Sequence, residues 1–93
     1  MKNIQKITCW TVIMDARYVA WQWTFMFQPT LRDLCDIAEG LDRSPTTDHL
    51  LAFLRRAHGT DPVVNEETGC LTYDVDGDVV FICPDKVYGR RPA

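Results

Sequence analysis

Residues 70–83 read CLTYDVDGDVVFIC, and the fold class turns on how they are read. Apolar and polar side chains alternate on both sides of Asp76-Gly77, the pattern of two strands joined by a two-residue turn. Both central residues of such a turn need a positive φ, which Asp tolerates and Gly adopts without steric cost. The hairpin then sets its own register: Val75 faces Asp78, Tyr73 faces Val80, Leu71 faces Ile82 and Cys70 faces Cys83. Leu71, Tyr73, Val75, Val80 and Ile82 form one apolar face, which should meet helices. Cys70, Thr72, Asp74, Val79, Phe81 and Cys83 form a mixed face. Counted from the turn, Cys70 and Cys83 fall on a non-hydrogen-bonded pair, where β-carbons lie closest. A cross-strand disulfide is geometrically conceivable there, although a reducing compartment favours free thiols.

Working upstream, NEETG at 65–69 reads as a turn and Val63-Val64 as a short strand after Asp61-Pro62. Before it, Ser44-Pro45 opens a helix: Ser44 caps, with Pro45 fitting the first turn because its missing N–H is not needed there, or Thr46 caps instead. Leu50, Phe53, Leu54 and Ala57 recur at helical spacing with Leu51 beside them, and Gly59 ends the run. Thr30 and Asp33 form a capping-box pattern ahead of a first helix. Its apolar stripe is Leu31, Leu34, Cys35, Ala38 and Leu41, and it either stops at Gly40 or frays through Asp42. The short link between the helices predicts an antiparallel pair.

The N-terminal third supplies a second hairpin, with strands over 4–14 and 18–27. An even-length connection pairs Trp10 with Trp23, Val12 with Trp21, Thr8 with Phe25 and Met14 with Val19. One face is then an aromatic ladder expected to lie against the helices. The reverse face holds Ile7, Cys9, Thr11 and Ile13 against Ala20, Gln22, Thr24 and Met26. Neither face is polar, so something beyond two helices should cover one of them.

The expected fold is α+β in the order β-β-α-α-(β)-β-β: an antiparallel sheet of four to five strands with two antiparallel helices on one face. The 93 residues suit one domain. It divides into an aromatic hairpin (1–28), a helical pair (30–59), a C-terminal hairpin region (62–84) and a loose basic tail (85–93). No apolar run reaches the roughly 18 residues of a membrane span. No stretch resembles a secretory signal, so a cytoplasmic location is expected.

The net charge of −3 is unevenly spread. Residues 33–85 carry about −9 and the two ends about +6. An acidic middle argues against nucleic acid, whose phosphates need clustered Lys and Arg, and suits a basic protein. Candidate partner-binding acids are Asp33, Asp36, Glu39, Asp42 and Asp48.

No catalytic or cofactor motif stands out, and no cofactor is expected. DVDGD at 74–78 has Gly at its fourth position, whereas an EF-hand needs it at the sixth. His49 and His58 are nine residues apart, on opposite faces of one helix, and the cysteine spacings do not suit zinc. His49 reads as a first-turn surface residue, and His58 as a partner for the negative end of the helix dipole. Cys35 and Cys9 fall on apolar positions without the cationic neighbours that activate a thiol.

The expected function is a non-catalytic protein-interaction module. In type alone it resembles the small acidic inhibitors of phages and mobile elements, such as immunity proteins and anti-CRISPR proteins; no residue is carried over from them. Its surface would be the acidic helices or the reverse hairpin face (Ile7, Cys9, Thr11, Ile13, Gln22, Thr24, Met26), which also suits a homodimer. The alternatives are a small-molecule pocket lined by Trp10, Trp21, Trp23 and Phe25, or an enzyme with a site of unfamiliar type.

Overall fold

The computed structural model describes residues 4–16 and 19–90, and the side chains of 8–15 and 21–85. The elements are β1 (Ile4–Ala16), β2 (Val19–Phe25), α1 (Leu31–Glu39), α2 (Pro45–His58), β3 (Val63–Val64), β4 (Leu71–Val75) and β5 (Asp78–Arg90). The five strands form one antiparallel sheet in the order β2-β1-β5-β4-β3. The two hairpins join edge to edge through β1 and β5, with Val12 opposite Ile82 and Met14 opposite Val80. The α+β fold expected from the sequence is the fold observed.

Both helices begin as their sequences dictate. Thr30 Oγ1 accepts from the Asp33 N–H at 3.2 Å, and the Asp33 carboxylate accepts from the Thr30 N–H at 2.8 Å, completing the capping box. Ser44 Oγ accepts from the Thr47 N–H at 3.2 Å, with Pro45 in the first turn. Gly40 and Gly59 are the C-caps. Leu41, expected on the apolar stripe, lies past the end of α1 and is 39% exposed. Thr47 is buried, and its hydroxyl donates to the Asp42 carbonyl at 2.8 Å, so the polar group is satisfied inside the core.

The helices cover one face of the sheet. Leu31, Leu34, Cys35 and Ala38 of α1 and Leu50, Leu51, Phe53, Leu54 and Ala57 of α2 join Val12, Met14, Val80 and Ile82 in one buried cluster. The deepest sheet positions therefore belong to the two central strands. Trp10, Trp21, Phe25, Leu71, Tyr73 and Val75 are partly buried around that cluster.

Two expectations about the sheet change. The first hairpin is shifted by two residues: Trp10 pairs with Phe25, Val12 with Trp23 and Met14 with Trp21. Pairing continues to Ala16 opposite Val19, leaving only residues 17 and 18, outside the described residues, to make the connection. A slip of two keeps every side chain on its face, because strand side chains alternate with period two.

The second change is in the C-terminal strand, expected to end at Cys83 before a loose tail. β5 instead runs to Arg90, with Ile4 opposite Arg90 and Lys6 opposite Tyr88. Pro84 does not stop it. Ile82, two residues earlier, is ladder-paired to β4, so the Pro84 nitrogen also faces the β4 side. β4 has already ended there, and no ladder hydrogen bond is lost.

Candidate interaction surface

Strand alternation and the observed register place a set of rows on the sheet face that carries no helix. One row crosses all five strands: Gln22, Ile13, Phe81, Thr72 and Val63. On one side of it lie Asp15, Val79 and Asp74. On the other lie Thr24, Thr11 and Cys83, with Cys70 next in register. Cys9 and Asp85 follow. Ile13 is 43% exposed and Val63 is 71% exposed, while Gln22, Thr24 and Asp15 are exposed and Thr11, Thr72, Val79 and Phe81 half-buried. An open hollow of about 490 Å³ is bordered by Ile13, Asp15, Gln22 and Phe81, with Met14 and Trp21.

Among the described side chains, the charge on this face has one sign. Asp15, Asp74 and Asp85 lie on it, and every described Arg side chain belongs to the helices or the segment joining them. The centre is apolar and hydroxyl-bearing, with carboxylates around it. A desolvatable centre with a charged rim is the general anatomy of protein contacts.

The acidic helix residues are arranged differently. Asp33 is occupied by the capping box. Asp36 pairs with Arg32 at 3.2 Å, Glu39 with Arg55 at 3.0 Å and Asp48 with Arg43 at 3.6 Å. Asp42 is exposed. The internal pairing offsets most of the field these acids would project. A cleft of about 240 Å³ between the helices is lined by Arg32, Cys35, Asp36, Glu39, Arg55 and His58. Its volume is below the roughly 300–1,000 Å³ of small-molecule sites. Burial raises the Cys35 pKa there, with Arg55 pulling it down less strongly, so the thiol is not activated.

His49 is half-buried, not a surface residue, and its Nε2 lies 3.8 Å from the Asp78 carboxylate. Arg56 reaches Asp78 at 3.6 Å and Asp76 at 3.9 Å. The β4–β5 turn is thereby tied to α2. Asp74 Oδ1 meanwhile accepts the Gly77 N–H at 3.1 Å. The carboxylates of DVDGD serve the turn and the helix, and no metal-holding group of three His, Cys, Asp or Glu occurs among the described residues.

The aromatic ladder faces the helices but is only partly covered. Trp23 and Phe25 rings are 6.2 Å apart and Phe25 and Phe27 5.7 Å, edge to face, while Phe27 is 56% exposed. The Trp21 indole N–H is buried with no hydrogen-bond partner among the described residues. Of the reverse-face residues expected from the sequence, Cys9 is buried, Thr11 half-buried, and Ile13, Gln22, Thr24 and Met26 exposed. The side chain of Ile7 lies outside the described residues. Sequence reasoning missed Asp15, which the longer β1 places on this face, and Thr72, Asp74, Val79, Phe81 and Asp85, which β4 and β5 bring onto it.

No known family, characterised protein or solved structure matches the chain. Among the described residues no helix is long and apolar enough to cross a membrane.

Proposed function

We propose that the protein is a non-catalytic interaction module that binds a basic protein through the bare face of its sheet. The observation that carries this is the row Gln22, Ile13, Phe81, Thr72, Val63, flanked by Asp15 and Asp74. A partner with an apolar patch ringed by Lys or Arg matches it. An inhibitor that acts by covering a basic working surface of its target needs no more than such a face. Face-to-face pairing of two copies would bring Asp15 and Asp74 of each together, and like charges across an interface cost affinity, so a different protein is favoured over a homodimer.

The test compares binding by three chains: wild type, Ile13→Arg, and a helix-face variant, Asp36→Lys/Glu39→Lys. A basic protein captured from the native host should bind wild type in a salt-sensitive manner. It should be lost by Ile13→Arg and kept by the helix-face variant, with all three folded by circular dichroism. Loss by the helix variant alone would move the contact to α1 and overturn the sheet-face reading.

A further inference from the structure

Cys70 and Cys83 are held side by side by closures on either side of them. On one side, Leu71 and Ile82 form the last ladder pair of β4 and β5. On the other, Gly69 packs against Pro84, so closely that an added β-carbon would lie 3.3 Å from Pro84 Cγ. Cys70 and Cys83 occupy the register position between. The Cys70 N–H donates to Thr68 Oγ1 at 3.3 Å, and its carbonyl accepts the Asn65 N–H at 2.9 Å. Both backbone groups thus turn toward the β3 side and away from β5. The pair is therefore of the non-hydrogen-bonded kind, in which β-carbons approach most closely. Both thiols are free and half-buried, whereas Cys9 and Cys35 are buried on other elements.

We propose that Cys70 and Cys83 are a redox couple that oxidises to a cross-strand disulfide at the margin of the bare sheet face. With glutathione disulfide as oxidant, one cysteine thiolate attacks a glutathione sulfur, breaking that S–S bond and releasing one glutathione thiolate. The second cysteine thiolate attacks the mixed disulfide at the protein sulfur, forming the Cys70–Cys83 bond and releasing the second glutathione. Two protein thiols lose two electrons and two protons, and one glutathione disulfide becomes two glutathiones. Burial and a hydrogen bond with Cys70 push the Cys83 thiol up to about 11, so thiolate is scarce near neutrality and exchange accelerates as pH rises. Any effect of the bond on partner binding rests on the sheet-face reading; the bond itself does not.

The experiment is thiol mapping of the folded full chain. Reduced protein is equilibrated at pH 8 with a series of reduced-to-oxidised glutathione ratios, alkylated after denaturation and digested with trypsin. Cys70 and Cys83 share one tryptic peptide, residues 57–86, while Cys9 and Cys35 fall on others. The expected product is that peptide unalkylated and lighter by two hydrogens, with Cys9 and Cys35 alkylated. Cys70→Ser should stop at a glutathione adduct, and wild-type mapping stands alone if that variant fails to fold. A stable glutathione adduct on the wild type, a bond to Cys9 or Cys35, or thiols that persist at the most oxidising ratio would overturn the proposal.

Discussion

Gly69 and Pro84 are in close register, the φ of Gly69 being +76° and the space for a side chain being closed by Pro84 Cγ at 3.3 Å. A residue with a β-carbon meets both the left-handed backbone and the proline ring. Gly69→Ala should lower stability by about 1–2 kcal/mol, read from urea denaturation. It should also slow Cys70–Cys83 bond formation, because the same contact aligns the two cysteines. Unchanged stability would show that the β3–β4 turn tolerates another path.

The C-terminal hairpin and both helices were legible because each is fixed locally, Asp76-Gly77 by turn geometry, Ser44-Pro45 and Thr30–Asp33 by capping; the first hairpin has no such turn signal, and its register was read two residues off. Asp76 and Gly77 have φ of 53° and 87°, the tight-turn geometry their sequence implies. The β1–β5 pairing was not legible, since it joins residues far apart in the chain, from Asp15 opposite Val79 to Ile4 opposite Arg90, with no local signal for register. The candidate face was therefore seen only in halves. The mixed face of the C-terminal hairpin and the reverse face of the first hairpin each looked incomplete. They become one surface because both apolar faces must share the same two helices. The charge count also misled, since it could not show that Arg32, Arg43 and Arg55 already pair with the acids beside them.

Neighbouring residues of β1 should respond in opposite ways. Val12 is fully buried and Ile13 is 43% exposed. Val12→Ala should cost about 2 kcal/mol through lost burial and the cavity left behind. Ile13→Ala should stay within about 0.5 kcal/mol. Chemical denaturation of the two variants reads this directly. An equal loss at Ile13 would mean that its face is covered in the isolated chain.

The cap of α2 is a separable contribution. Ser44 Oγ accepts the Thr47 N–H and also lies 3.1 Å from the Thr47 hydroxyl. Ser44→Ala should lower stability by about 1 kcal/mol, and Ser44→Gly by only a few tenths. Thermal melts of the pair separate loss of the cap from general damage to the loop. If Gly is as costly as Ala, a side-chain packing contribution outweighs the cap.

Alkaline pH should weaken the fold, and Cys83 should carry part of the effect. Burial first, and the hydrogen bond with Cys70 second, raise its pKa from 9.0 to about 11. The folded chain then keeps a proton that the unfolded chain releases, and the state binding fewer protons gains as pH rises. The stabilisation is fully present below pH 9 and is lost as pH climbs through 11. Burial raises Cys35 and Tyr73 in the same direction, so the decline is shared. Denaturation of the reduced protein in steps from pH 8 to 11 should show falling stability, with a shallower fall for Cys83→Ser. An identical slope in that variant would remove the buried thiol as a cause and leave Cys35 and Tyr73 to account for the decline.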